Sequence, residues 1–298
     1  MLPKLLLTHG LKLCSRVLQS CALRLHFLAR GLERISLLTP EERAILQRNA
    51  KFKDKHKGKR AFVIVTGPSL ANQDISWLGD EVTFVVSGFY KHESVKVWQP
   101  TYYCIADAYF FNGKPDSLKF FDNLKTVITK SIFFIPLFRG YAANKRHGLL
   151  PQDQTFYIAN AGLPNHKIDM TGVVQSFQSV SAFALAQAIY MGCSPIYLMG
   201  FDHDWLANRG MDKHFYKDSI VQGTPGSTKP LSALKSYDED VRTVLTLWKN
   251  YRALDYIARK RNIKIYNATG GGYLDVFEYA RFEDLKKNNA YEASHKSA

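Results

Sequence analysis

The sequence predicts an α/β protein, a doubly wound and mainly parallel sheet preceded by an N-terminal basic amphipathic helix. Short apolar runs rich in β-branched and aromatic residues recur as continuous stretches, not alternating ones, which suits strands covered on both faces. Helical patterns alternate with them, and strand-helix alternation builds parallel sheets. The charge is unevenly spread: residues 1–60 hold 14 Lys and Arg against 4 Asp and Glu, whereas the other 238 residues hold 26 against 22. The core is therefore nearly neutral, and nucleic acid is not an expected partner.

In chain order, an apolar stripe at Leu2, Leu6, Leu13, Val17, Cys21, Leu25 and Leu28 runs beside a basic one at Lys4, Lys12, Arg16 and Arg24. That pattern fits a helix lying on an anionic membrane surface, or one docked on protein. Lys12, Arg16 and Arg24 interrupt every apolar stretch, so no secretory h-region forms, and no uncharged run reaches spanning length. Residues 1–50 are expected to be dispensable for the fold, and Lys51 to Arg60 (KFKDKHKGKR) to form a linker closing a 1–60 extension. The core then spans 61–285, with a polar tail at 286–298. Its strands read as AFVIV (61–65), VTFVV (82–86), TYYCIA (101–106), TVIT or SIFFI near 126–135, TFYIA (155–159), PIYLM (195–199) and IKIY (263–266). Helices are expected at 179–191 and at 239–261, the latter with Val241, Val244, Leu245, Trp248, Tyr251, Leu254, Ile257 and Ala258 on one face. Cysteines at positions 14, 21, 104 and 193 are too few and too scattered for a disulfide framework or a zinc site, so a cytoplasmic protein is expected, peripheral on the inner face of the membrane.

Ligands of such sheets gather at the carboxyl ends of the strands, near the point where strand order reverses. After the first strand stand Thr66, Gly67, Pro68 and Ser69, a turn that is neither GxGxxG nor a P-loop but can leave backbone N–H groups facing an anion. Ser87 and Gly88 follow the second strand, Asp107 and an aromatic run the third, and Gly200-Phe201-Asp202-His203-Asp204-Trp205 the PIYLM strand. Carboxylates for hydroxyls and rings for stacking suit a base and sugar; the alternative is that the rings are core and the acids are caps. Asp202 and Asp204 also form a DxD-like triplet, an alternative site for Mg2+ or Mn2+. Ser179 and Ser181 open an Ala-rich helix whose N-terminus is either an anion site or an ordinary cap. Residues 200–230 read as a lid carrying Lys213-His214-Phe215-Tyr216-Lys217. His214 has the side chain suited to acid or base work near neutral pH.

Taken in order, VTGPSL, SGFY, the turn at Asp107, SVSAFALAQAIYMGCSPIYLMGFDHD, KHFY and IKIYNATGGGYLDVF resemble the bacterial 6-hydroxymethylpterin pyrophosphokinase-like family, which includes motility-associated glycosyltransferases. More distantly they resemble the family 42 sialyltransferases, over about residues 60–285. The sialyltransferase resemblance implies a single Rossmann-like domain binding a CMP-activated sugar, no required cofactor, and inversion assisted by a lid histidine, for which His214 is the best match. It also implies that Gly67, Pro68 and Ser69 contact the donor phosphate and ribose, and that Ser87 stands where those enzymes carry a nucleotide-contacting Asn. Ser179 and Ser181 would approach the cytosine or the sugar, and Asn267 would close one side of the pocket. Thr66 replaces a family Asn, and Tyr216 is the nearest counterpart of the lid tyrosines. The expected activity is a glycosyltransferase of bacterial surface glycan or glycoprotein synthesis, with His214 and Asp202 as catalytic candidates. Its partners would be a nucleotide-sugar donor, a glycan or lipid-linked acceptor and an anionic membrane surface, in a monomer or an oligomer. The alternatives are a non-catalytic nucleotide-binding module and a pterin-type pyrophosphokinase using ATP, with magnesium at carboxylates such as Asp107 and Asp202; for the latter the sequence offers no P-loop lysine.

Overall fold

The computed structural model describes Cys21, Leu25 and residues 38–162, 167–209, 214–216 and 236–286. Nine strands form one sheet: β1 Ala61–Ile64, β2 Val82–Val86, β3 Tyr102–Cys104, β4 Ile132–Pro136, β5 Thr155–Gly162, β6 Val173–Gln175, β7 Ile196–Met199, β8 Ile265–Asn267 and β9 Glu278–Tyr279. Their order is β6-β5-β4-β3-β2-β1-β7-β8-β9, and every neighbouring pair is parallel. This is the expected doubly wound α/β architecture, and its strand order reverses between β1 and β7. The four residues of β1 are all buried, as a strand covered on both faces requires.

Helices α1 Pro40–Gln47, α2 Pro115–Val127, α3 Ala142–His147, α4 Val180–Tyr190 and α5 Tyr237–Lys260 lie around the sheet. Every residue of α4 from Ser181 to Tyr190 is buried, because small alanines let it lie between β1, β2 and β3 on one side and α5 on the other. A capping box of Ser236 and Glu239 opens α5, and Asp238, Glu239 and Asp240 complement the positive end of its dipole. One core combines α4 and α5 with one sheet face; the other gathers Phe62, Phe133, Trp98 and Phe282 with Phe121 of α2.

The structure settles one open alternative and corrects three expectations. SIFFI, not TVIT, supplies β4, since Thr126 and Val127 end α2. The buried face of α5 comprises Leu247, Asn250, Tyr251, Leu254, Ile257 and Ala258, while Val241 and Leu245 are exposed. Asn250 belongs inside because its Oδ1 accepts from Gln178 N–H at 2.8 Å, tying α5 to the turn before α4.

The linker expected at Lys51 to Arg60 is docked chain. Phe52 meets Phe134 and Phe156 edge-on, with ring centroids 5.1 and 4.7 Å away. The amides of Asp54, His56 and Gly58 donate to the carbonyls of Tyr190, Met191 and Gly192, capping the C-terminal end of α4 with backbone. Nor does the whole of residues 1–50 stand apart from the fold: Leu46 is buried, and the Asn49 side-chain amide donates to Tyr157 O at 2.8 Å and Met170 O at 2.7 Å. The amphipathic helix expected at the N-terminus lies outside the described residues except for Cys21 and Leu25, both helical. Among the described residues no helix is long and apolar enough to cross a membrane.

Replacing a buried Phe by Ala removes its transfer free energy and leaves a cavity, so Phe52→Ala should lower the unfolding free energy by about 3–5 kcal/mol. Urea denaturation measures this directly; an unchanged midpoint would restore the linker reading.

Candidate functional site

A cleft of about 870 Å³ lies over the carboxyl ends of the strands. Its centre is the junction of the β1 and β7 turns. A Cβ on Gly67 would stand 1.9 Å from Asp202 Oδ2 and 2.1 Å from Gly200 O, so no other residue fits there unless the turns part. Gly200 has φ +71, and a Cβ on it would stand 2.5 Å from Val65 O. The Asp202 carboxylate joins the two turns, its Oδ2 accepting from Ser69 Oγ at 2.9 Å and its Oδ1 from Ser69 N–H at 3.2 Å. Burial pushes the Asp202 carboxyl above its ordinary value, the Ser69 hydrogen bonds pull it back, and Asp204 adds a further upward push.

Residues 214–216 are fastened to the same β1 turn. Phe215 N–H donates to Thr66 O at 2.9 Å, and His214 Nδ1 lies 2.8 Å from Thr66 Oγ1. The His214 ring stacks on Tyr216 with centroids 5.1 Å apart and planes 7° apart. Tyr216 in turn lies so close over Gly88 that a Cβ there would be 2.3 Å from its hydroxyl, and Lys91 Nζ stands 4.6 Å from its ring centroid. Ser87, one residue earlier, holds φ +46, an uncommon conformation for a side-chain-bearing residue, and its carbonyl accepts from the Tyr103 hydroxyl at 2.6 Å.

The remaining walls come from the other strand ends. Asp107 follows β3, is exposed, and accepts from Tyr109 N–H at 2.9 Å. Arg139, in the wide turn after β4, is exposed along the cleft with no carboxylate partner among the described residues. Asn160, Ser176 and Gln178 line the side formed by β5 and β6. Ser179 caps α4 by accepting from Ala182 N–H at 3.4 Å. Opposite it His203, at φ +48, is enclosed by Phe201, Trp205, Trp248 and Tyr251. Burial drops the pKa of His203 to about 3, so it stays neutral.

Of the residues named from sequence, Gly67, Ser87, Asp107, Ser179, Ser181, Asp202 and His214 line this one cleft. Pro68 and Ser69 lie in the turn behind it, where Ser69 acts through Asp202. Asn267 lies outside: its Nδ2 donates to Leu274 O at 2.9 Å and its Oδ1 accepts from Thr269 N–H at 3.0 Å, which shapes the glycine turn. That turn borders a separate groove of about 480 Å³ with Gln73 and Phe282. Asp204 is also outside, accepting from Asn208 Nδ2 at 2.6 Å. In the Asp202-Asp204 pair each Asp202 oxygen accepts one hydrogen bond from Ser69, and Asp204 accepts from Asn208. Among the described residues no three His, Cys, Asp or Glu side chains gather into a metal site. Sequence reading missed Arg139 and Asn160 as cleft residues, and named His203 only as part of the strand-end run that includes Asp202. The rule of looking just after each strand reaches Arg139 once SIFFI is taken as the fourth strand.

No protein-family model matches the chain, and no curated protein matches it by sequence. Among solved structures it resembles the sialyltransferase CstII from Campylobacter jejuni in complex with the substrate analogue CMP-3FNeuAc, at 16% identity over 74% of this chain and 86% of that one, with a TM-score of 0.41. A variant of the sialyltransferase CST-II with CMP matches at 16% identity over 74% and 85% of the two chains, also with a TM-score of 0.41. CST-II with CMP and a trisaccharide acceptor matches at 15% identity, the same coverages of 74% and 85%, and a TM-score of 0.41.

Two outcomes follow from this geometry. Gly67→Ala should force the β1 and β7 turns apart, lowering Tm and dissolving the contact that anchors His214; an unchanged Tm would contradict the close approach. For His203 the folded pKa is about 3 against an ordinary 6.5, so the unfolded chain binds the proton first as pH falls. Its contribution to stability is intact above about pH 6.5 and is lost progressively down to about pH 3, with His56, lowered to about 4 by burial, adding in the same direction. Urea midpoints at pH 7 and pH 4.5 should therefore differ less in His203→Phe than in the parent chain.

Proposed function

We propose that this chain is a glycosyltransferase that uses a nucleotide-activated sugar, a CMP-sugar by preference, in bacterial surface glycan or glycoprotein synthesis. One observation carries the reading: a single cleft at the topological switch point gathers the N-terminus of α4, Arg139 and an imidazole whose orientation is set from the β1 turn. An anionic donor calls for this combination. The first N–H groups of α4 and the Arg139 guanidinium supply the positive potential that a phosphate needs. The ordered motifs from VTGPSL to KHFY, which resemble the sialyltransferase series, support the same reading.

In this reading Thr66 holds His214 Nδ1, which assigns the chemistry to Nε2. Nε2 takes the proton of an acceptor hydroxyl as its oxygen bonds to the anomeric carbon. The bond from that carbon to the donor phosphate breaks, and the nucleotide leaves with the electron pair. Asp202 is given a positioning role, because Ser69 engages both of its oxygens. No cofactor is required, as α4 and Arg139 face the departing charge. No specific observation favours the pyrophosphokinase alternative: Asp107 and Asp202 both line the cleft, yet one caps Tyr109 and the other clamps Ser69. The acceptor is a glycan or a lipid-linked sugar, with the basic N-terminal extension within residues 1–50 seating the protein on an anionic inner membrane face. Exposed Arg48, Lys51, Lys53, Lys55, Lys57 and Lys59 add positive surface at the α4 end away from the cleft.

A ligand that binds only the native state raises Tm, so CMP should stabilise the chain more than UDP, GDP or ATP, with or without EDTA. His214→Ala should cut transfer by about 10²-fold or more while leaving CMP affinity nearly intact, and Arg139→Ala should weaken CMP binding instead. Stabilisation by ATP with magnesium alone would replace this reading by phosphoryl transfer.

A further inference from the structure

Ser179 and His203 face the cleft from two sides, at the start of α4 and after β7, and are joined through the protein interior. Ser179 Oγ is hydrogen-bonded to Ser181 Oγ, Ser181 Oγ lies 2.7 Å from Tyr251 Oη, and Tyr251 Oη lies 2.7 Å from His203 Nε2. Each hydroxyl has one proton, so the chain runs in one of two directions. With the proton on Nε2, His203 donates to Tyr251, Tyr251 to Ser181 and Ser181 to Ser179. The Ser179 O–H is then left to donate into the cleft, and His203 Nδ1 is an acceptor. With Nε2 bare every link reverses, so Ser179 donates inward and Nδ1–H becomes the donor. Nδ1 has no hydrogen-bond partner among the described residues, although His203 is only 8% exposed and lines the cleft. The ring stays neutral in its apolar cage, so the tautomer is the variable.

We propose that Ser179, Ser181, Tyr251 and His203 form a tautomeric relay that couples recognition of an anionic group at Ser179 to recognition of a hydroxyl at His203. An anion against the N-terminus of α4 demands a donor from Ser179. That demand sets the whole chain toward Ser179, places the ring proton on Nε2 and leaves Nδ1 to accept from a hydroxyl. A phosphate and a hydroxyl at a fixed spacing belong to a nucleotide or nucleotide sugar, so the inference rests on the donor-site reading above and deepens it. Ser181 and Tyr251 are positioning residues in this scheme, since they act on the ligand only through the two ends.

The test is nitrogen NMR of the full chain with 15N-labelled histidine, titrated with inorganic phosphate and with CMP. CMP should move the His203 ring to the Nε2–H tautomer, giving Nδ1 the shift of a bare nitrogen. Tyr251→Phe, which removes one oxygen and keeps the packing, should abolish that response and weaken CMP binding about tenfold, the order of one hydrogen bond to a charged group. If that variant does not fold, Ser181→Ala cuts the same chain. An unchanged tautomer at saturating CMP, or unchanged CMP affinity in the folded variants, would overturn the relay while leaving the donor site standing. Absence of CMP binding by the parent chain would overturn the donor-site reading and the relay with it.

Discussion

The cleft depends on one close approach, that of the β1 turn to the β7 turn. Parallel pairing carries past the strands themselves: Val65 N–H donates to Met199 O at 2.9 Å and Gly67 N–H to Gly200 O at 3.1 Å. The two backbones then lie so near that only glycine fits, and the Asp202 carboxylate closes the gap by holding Ser69. A third segment leans on the same residue, since Tyr273 N–H donates to Asp202 O at 2.8 Å and Gly272 leaves no room for a side chain against it. Hydrogen bonds to a charged acceptor contribute roughly 1.5–3 kcal/mol each, and they add to the burial of Leu70 in the β1 turn and Phe201 in the β7 turn. Everything that hangs from Thr66, the imidazole of His214 included, inherits its position from this clamp.

The second organising element is α4. Its alanines let it lie flat on the sheet, so its N-terminus reaches the cleft floor while its C-terminus is capped from the far side by residues 54–58. One helix thus connects the docked basic segment to the site, with its dipole directed so that the positive end faces the cleft. The neutral His203 and the hydroxyls of Ser179, Ser181 and Tyr251 fill the space between α4, α5 and the β7 turn with polar groups that hydrogen-bond one another, the condition under which buried polar groups do not destabilise a core.

The sheet was legible because strands buried on both faces read as unbroken apolar runs, and the switch-point rule then pointed to Gly67, Ser87, Asp107 and Asp202 without any motif of high specificity. The short edge strands β6 and β9 were not legible: three and two residues carry no period. The docked segment was hidden because alternating lysines dominate its composition, whereas a single phenylalanine decides its fate. Phe52 goes inside, and Lys51 covers it from outside with Nζ 5.2 Å from its ring centroid and 4.2 Å from that of Phe156. Asn250, and the tie of His203 to Tyr251, escaped for the opposite reason: their partners are distant in sequence and so invisible to any local pattern. Asn267 and Asp204 were read as ligand contacts from the company they keep, but their hydrogen bonds serve the turns in which they stand.

The central claim is that the strand-end cleft, and not the glycine-turn groove, receives the nucleotide. A crystal structure of the chain with CMP tests it most directly. The account predicts the phosphate between the N-terminus of α4 and Arg139, with the Ser69-Asp202 clamp closed and His214 still on Thr66. A nucleotide seated in the groove of Gln73, Gly270 and Phe282, with the larger cleft holding none, would contradict it.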